Sequence, residues 1–247
     1  MAAIVMADDG ISFDGDSLKQ GPLGGAETAF ISLAEALATR GHRVEVFNNC
    51  SEPMNRKGVS WCPIERGLPE SADLYIANRG DKLLPFVPLA VARIFWIHNP
   101  ADYLKKWRYV SKLWRNRPTV VFSSEFHVRS CPKWMPVGGK ATIPYGISKP
   151  FLDVDPPRQP PAPRAAFTSS PLRSLGWLLN LWAAEIWPYV QEAELHVFSS
   201  PNTYGEHGDA RFDQMQIVLD QARKVSSQGV VLRIPLPKDS LAAELAG

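Results

Sequence analysis

The chain has 247 residues, of which 45% are hydrophobic and 21% charged, and a formal net charge of +2. That length admits one large domain or two smaller ones of about 100–200 residues each, the composition supports a buried core, and so small a charge gives no argument for a nucleic-acid partner. Its three cysteines, Cys50, Cys62 and Cys131, contain no CxxC pair, and their odd number argues against a full disulfide framework. The opening MAAIVMADDG lacks the basic start and long apolar stretch of a secretory signal. No stretch approaches the ~20 apolar residues of a membrane span. A cytoplasmic, reducing location is therefore expected.

Ala2 to Met6 is a short apolar run that reads as a buried strand. The segment GPLGGAETAF, Gly21 to Phe30, then places three glycines against the start of a helix. Glycines allow a close main-chain approach, and a helix start offers unpaired N–H groups and positive dipole charge. That combination suits a phosphate or a sugar; an ordinary turn before a helix is the other reading. The spacing is neither the dinucleotide fingerprint nor the P-loop. In the helix Ala26 to Thr39, the apolar face is expected at Ala26, Phe30, Leu33 and Leu37, with Gly41 closing it.

A strand over His42–Phe47 completes a β–α–β unit, and strands at Ala72–Ala77, Arg93–His98 and Thr119–Ser124 continue the alternation. The expected fold class is α/β, a doubly wound parallel sheet in an N-terminal Rossmann-like domain over residues 1–147. Residues 148–164 hold six prolines and read as a stiff linker. The alternation then resumes over 165–247. Strands are expected at 164–170, 193–200 and 229–236, and helices at Leu172–Ile186, Asp209–Ser226 and from Lys238. An incomplete second Rossmann-like α/β domain is expected, since a sheet normally holds about 5–6 strands; an unusually small domain is the alternative.

Ligands of open α/β sheets bind at the carboxyl ends of the strands. His98 ends one such strand, and Ser123, Ser124 and Glu125 end the next, so polar groups gather on one rim; a structural, hydrogen-bonded His is the alternative. In the second domain Ser169 and Ser170 end a strand. Arg173 falls in the first turn of the next helix, where its charge opposes the dipole unless an anion sits there; a solvated surface Arg is the alternative. Arg223, on the helix Asp209–Ser226, is expected to be a plain surface arginine. Asp14/Asp16 and Asp153/Asp155 have DxD spacing, and their loop context makes them solubilising residues rather than metal ligands.

Between Lys105 and Arg117 lie six basic residues, with Leu104, Trp107, Val110 and Trp114 on the other face. Such a helix either packs its Trp and Leu residues on the sheet or meets a membrane surface. A Rossmann oxidoreductase is disfavoured, because no G-x-G-x-x-G follows the first strand and the second ends in Phe47-Asn48-Asn49 rather than an acid.

Four segments resemble family 4 glycosyltransferases, the GT-B enzymes also called glycosyl transferases group 1. GPLGGAETAFISLAEALATRGHRVEVF is similar to their opening GGAE loop and helix, and WIHNP to their strand ending in His. VVFSSEFHV with IPYGIS resembles the close of their first domain, with Tyr145 where Asn is more usual. FTSSPLRSLGWLLNLWAAEIWPYVQEAELHVFSS resembles the start of their nucleotide-binding domain, with Arg173-Ser174-Leu175 where Arg-Gly-Leu is usual. The resemblance implies transfer of a sugar from a nucleotide-sugar donor to a glycan, lipid-linked or small-molecule acceptor. It also implies retention of configuration and no metal or other cofactor. Donor diphosphate and sugar fall to Gly24, Gly25, Ser170 and Arg173, and the group beside the donor sugar to His98. A second cation beside Arg173 is missing. The family's later Glu-rich motif would follow Gly247, which implies an N-terminal fragment of an enzyme or, alternatively, a non-catalytic nucleotide- or glycan-binding protein on the same scaffold.

Overall fold

The computed structural model describes residues 1–155, 162–203 and 210–246. The chain divides into two compact units, Met1–Ser17 with Gly25–Gly146, and Leu18–Gly24 with Ile147–Gly247. The expected linker 148–164 is described at both ends, while its residues 156–161, like Asp209 of the expected helix Asp209–Ser226, lie outside the described residues.

In the first unit, β1 (Ala3–Asp8), β2 (Arg43–Asn48), β3 (Met54–Arg56), β4 (Val59–Pro63), β5 (Ser71–Asn78), β6 (Leu89–Trp96), β7 (Thr119–Phe122) and β8 (Gly139–Thr142) form one sheet in the order β3-β4-β2-β1-β5-β6-β7-β8. All neighbours run parallel except β3, which pairs antiparallel with β4. The register Ala7↔Phe47 and Asp8↔Asn78 aligns the carboxyl ends of β1, β2 and β5. β1 is apolar and buried on both faces, as a central parallel strand must be when helices cover it.

β3 and β4 are a hairpin absent from the sequence reading. Lys57 and Gly58 turn it with positive φ at both positions (47° and 78°), the conformation a two-residue hairpin favours. β8 is also new: GKAT has too few apolar residues to announce a strand. The strand expected to end in His98 stops at Trp96, with Ile97 N–H still donating to Val121 O at 3.2 Å, so His98 stands in the following loop.

Helices α1 (Ser17–Gln20) and α2 (Gly25–Thr39) follow β1. α2 buries Glu27, Phe30, Ile31 and Ala34, a face rotated from the expected one, because it includes a charged residue with an internal partner. The basic helix expected over Leu104–Arg117 starts later than that: a 3₁₀ turn at Ala101–Lys105 precedes α3 (Trp107–Asn116), with Lys106 extended between them. α4 (Glu125–Arg129) follows β7.

In the second unit, α5 (Lys149–Leu152) precedes β9 (Arg164–Phe167), α6 (Leu175–Leu181), β10 (Glu194–Phe198), α7 (Ala210–Lys224), β11 (Val230–Arg233) and α8 (Lys238–Ala246). The strands form a parallel sheet in the order β11-β10-β9. Leu175, Leu179, Trp182, Leu195, Val197 and Leu219 build a core separate from that of the first unit. α6 runs on through one wide turn at Trp182–Ile186, and the Trp182 indole N–H donates to Gln228 O at 2.8 Å. No helix among the described residues is long and apolar enough to cross a membrane.

Candidate functional site

At the carboxyl edge of the first sheet, six side chains form one hydrogen-bonded group. Asp8, the last residue of β1, is fully buried. It accepts from Gly10 N at 2.8 Å, from Arg79 Nη2 at 2.8 and 3.2 Å, and from Asn78 Nδ2. Arg79 also donates through Nη1 to Glu27 Oε1 on α2 at 2.8 Å. Burial lowers the Arg79 pKa, but the Asp8 and Glu27 carboxylates outweigh it and raise the value above normal. Arg79 takes a left-handed backbone (φ 64°), which lets it turn back onto the strand ends. A Cβ on Gly10 would sit 2.7 Å from Arg79 Nη2 and 2.8 Å from Asp8 Oδ1, so a larger residue there would have to push this ion pair aside.

Asn78 passes this arrangement to His98. Its Oδ1 lies 2.7 Å from His98 Nε2, while His98 Nδ1 meets the Tyr145 hydroxyl. Since the Asn78 amide nitrogen faces Asp8, its oxygen accepts from Nε2–H, and Nδ1 accepts from the phenol. Burial, then the positive charge of Arg79 and the nearby His127, push the His98 pKa down to about 4. His98 is therefore a neutral imidazole of fixed tautomer at pH 7, and its ring stacks on Tyr145 with centroids 5.8 Å apart. That excludes a standing cation at this position. It leaves a rigid hydrogen-bonding group at the rim.

His127 was missed by sequence reasoning. It is buried at the start of the β7–β8 connection, with Nε2 donating to Asn99 O at 2.7 Å and Nδ1 accepting from Ser123 N at 3.2 Å. Asn99 adjoins His98, so His127 anchors that loop. Ser124, expected at the rim as a polar group, caps α4 by accepting from His127 N at 3.1 Å. Asp8 and Arg79 could have been found as charged residues closing two apolar strand-like runs; Tyr145 has no such signal.

Gly25 opens α2 in the first unit, while Gly24 belongs to the segment grouped with the second. A Cβ on Gly21 or Gly25 would meet nothing within 4 Å, and neither has positive φ, so the fold itself does not demand glycine at these positions. Of the DxD pairs, Asp14 accepts from Asp16 N and Ser17 Oγ, Asp16 pairs with Arg56 at 2.7 Å, and Asp153 pairs with Lys149 at 2.6 Å.

In the second unit, Ser170 lies three residues beyond β9, and its Oγ faces Met215 Sδ at 3.7 Å. Arg173 is exposed, and it stands in the turn before α6 rather than in the helix's first turn. Ser174, with φ 66°, interrupts the chain there, and Arg173 N donates to Ser170 O at 2.9 Å. No carboxylate pairs with Arg173 among the described residues. A cleft of about 260 Å³ opens beyond the carboxyl ends of β10 and β11, lined by Ser199, Ser200, Arg223, Arg233 and Ile234. Ser199 Oγ donates to Ser169 O at 2.7 Å, tying this cleft to the β9–α6 loop. Arg223, expected to be a neutral surface residue, lines the cleft while pairing with Asp220. The cleft was not foreseen; its one sequence signal was Ser199-Ser200 following an apolar strand.

Two parallel α/β units of this kind define the GT-B fold. No protein-family model and no curated protein sequence matches the chain. Among solved structures, the sucrose-phosphate synthase of Thermosynechococcus elongatus is similar at TM-score 0.70 and 12% identity, over 98% of this chain and 73% of that one. WaaG, a glycosyltransferase involved in lipopolysaccharide biosynthesis, is similar at TM-score 0.59 and 11% identity, over 98% and 72%. A trehalose-6-phosphate structure from E. coli, bound with UDP-2-fluoro glucose, is similar at TM-score 0.58 and 10% identity, over 94% and 73%.

Proposed function

We propose that the chain transfers a sugar from a nucleotide-sugar donor to an acceptor. The observation that carries this reading is that, in each parallel sheet, polar groups collect beyond the strand carboxyl ends, the edge where such sheets take ligands. In the second unit, Arg173 and Ser170 are assigned to the donor diphosphate, and the cleft by Ser199 and Arg233 to the nucleoside. Gly24 and Gly25 are assigned to close main-chain approach, which fits the open space beside Gly25. His98 is assigned to a hydroxyl of the donor sugar, as a neutral hydrogen-bonding group.

The chemistry asks for this division. As the bond from the anomeric carbon to the diphosphate oxygen breaks, negative charge grows on the leaving group, and a preformed cation stabilises it most there. Retention of configuration, and an acceptor that is a glycan, a lipid-linked sugar or a small molecule, follow from the resemblance to family 4 glycosyltransferases. The bound UDP-2-fluoro glucose of the E. coli neighbour makes a uridine donor the first to try.

Calorimetric titration with UDP-glucose and a guanosine diphosphate sugar, alongside a nucleotide-release assay, tests the proposal. Binding with slow hydrolysis supports a transferase. Binding without any turnover favours a non-catalytic nucleotide-sugar-binding protein, and absence of binding to either donor removes both readings.

A further inference from the structure

The face that α3 turns to solvent differs from what an isolated cytoplasmic helix presents. Its inner side is settled: Tyr109 and Leu113, with Ala101 and Leu104 of the preceding 3₁₀ turn, belong to the core of the first unit. Trp107 and Trp114 do not join them, and are 78% and 64% exposed. Seven residues apart, they share one helix face, about 10 Å along the axis from each other. The alternative that both tryptophans pack on the sheet is thereby set aside.

Charge accompanies the indoles. The stretch Ala101–Arg117 holds six basic residues and one acidic residue, a net +5 against +2 for the whole chain, so the remainder of the protein is net acidic. Three of the six cations are engaged: Lys105 with Asp102 at 2.7 Å, and Lys112 and Arg108 with Asp81 at 2.7 and 3.5 Å. Lys106, Arg115 and Arg117 are exposed, and no carboxylate pairs with them among the described residues. Lys106 precedes Trp107, and Arg115 follows Trp114, so each exposed indole has an unpaired cation beside it in sequence.

We infer that α3 docks this protein on an anionic lipid bilayer. Tryptophan is the side chain that settles at the headgroup level, with its ring among acyl-chain ends and its N–H in water. Unpaired Lys and Arg beside it answer anionic headgroups, each basic side chain near the surface strengthening binding roughly fivefold. Arg108 and Arg115, seven residues apart, share the face beside the indoles, and Arg115 has no carboxylate partner there among the described residues.

The test is cosedimentation of the full chain with vesicles of phosphatidylcholine alone and of phosphatidylcholine with phosphatidylglycerol, at low and physiological salt. Binding is expected on the anionic vesicles only, and to weaken as salt rises. The double variant Lys106→Gln/Arg115→Gln should weaken it by more than tenfold, and Trp107→Ser/Trp114→Ser by a comparable factor at physiological salt. Trp177→Ser, an equally exposed tryptophan of the second unit without this cationic setting, should leave it unchanged. All these positions are exposed, so the variants should keep the parent's melting temperature. Equal binding to neutral and anionic vesicles overturns the proposal, as does binding to neither or insensitivity to both double variants. So does retention on heparin without vesicle binding, or self-association that the Trp107→Ser/Trp114→Ser variant abolishes. The readout involves no sugar donor, so its failure would leave the transferase reading untouched.

Discussion

At the scale of single residues, the first unit is organised around two buried carboxylates, Asp8 and Glu27, that share Arg79. Asp8 has no exposure to water, and its stability rests on Arg79, Asn78 and the Gly10 N–H. Arg79→Asn deletes the guanidinium while keeping a residue that tolerates the left-handed backbone, so it isolates the charge. Removing one partner of a buried pair typically costs 3–5 kcal/mol. The remaining donors to Asp8 place the expected loss near the low end, about 3 kcal/mol, measured by urea denaturation; Asp8→Asn in the same background should recover part of it. His98 gives a pH signature of its own. Its folded pKa of about 4 lies below the ordinary value of 6.5, so the unfolded state binds more protons between them. Stability from this group is complete above about pH 6.5 and falls as pH drops toward 4. His98→Gln should therefore flatten the stability profile between pH 6.5 and 4.5 relative to the parent. Equal slopes would show that His98 is protonated as readily folded as unfolded.

The elements obey what local chemistry asks of them, and two glycines show how far context adds to it. Gly41 and Gly229 both have φ near +80° (84° and 73°), where any side chain is strained. Beside Gly41 a Cβ would meet nothing, whereas at Gly229 it would run into the Ala193 carbonyl and the Trp187 ring at 3.2 Å. Gly41→Ala is expected to cost about 1 kcal/mol. Gly229→Ala should cost on the order of 2–3 kcal/mol, because backbone strain and the clash add; thermal denaturation of the two variants compares them directly. The same distinction explains what the sequence reveals of the elements. β1, β2, β5, β7 and β10 are legible, because a strand buried on both faces must be an apolar run. α2 and α7 are legible in extent by periodicity. The offset of α2's buried face is not, since it depends on Glu27 meeting Arg79 from a distant strand. β8 and the hairpin β3–β4 escape because an edge strand needs few apolar residues, although Lys57-Gly58 was a readable turn. α3 was read as longer than it is, because Lys106 breaks it by backbone geometry alone.

At the scale of the whole molecule, the alternation of strands and helices carries the fold, and the α/β order with two parallel sheets was readable because each crossover leaves its own pattern. Of the candidate site, the residues next to strand ends were readable, His98 and Ser170 among them; the pairing of Asp8 with Arg79 and of His98 with Asn78 and Tyr145 was not, since pairing across 20 to 71 residues is set only by sheet order. Arg173 is the residue on which the functional reading depends most directly. It is exposed, its side chain meets no carboxylate among the described residues, and it stands in the turn between β9 and α6. Nothing internal would be lost by removing it, so Arg173→Ala should leave the melting temperature within about 1 °C, as for a surface substitution. If it grips a diphosphate, it contributes charge-assisted hydrogen bonds worth roughly 1.5–3 kcal/mol each. UDP-glucose affinity should then fall about ten- to a hundredfold, and kcat/KM by at least as much, because leaving-group charge grows in the transition state. Arg173→Lys should recover only part, lacking the planar fork. Arg129→Ala, removing an exposed arginine of the first unit, is the control and should change neither. Arg223 cannot serve as that control, because it lines the cleft by β10 and β11; Arg223→Ala is expected to weaken donor binding severalfold. Titration of the four variants with UDP-glucose separates the possibilities: an Arg173→Ala protein that binds as the parent does would withdraw the diphosphate from this turn, and a loss confined to Arg223→Ala would move the anion into the cleft.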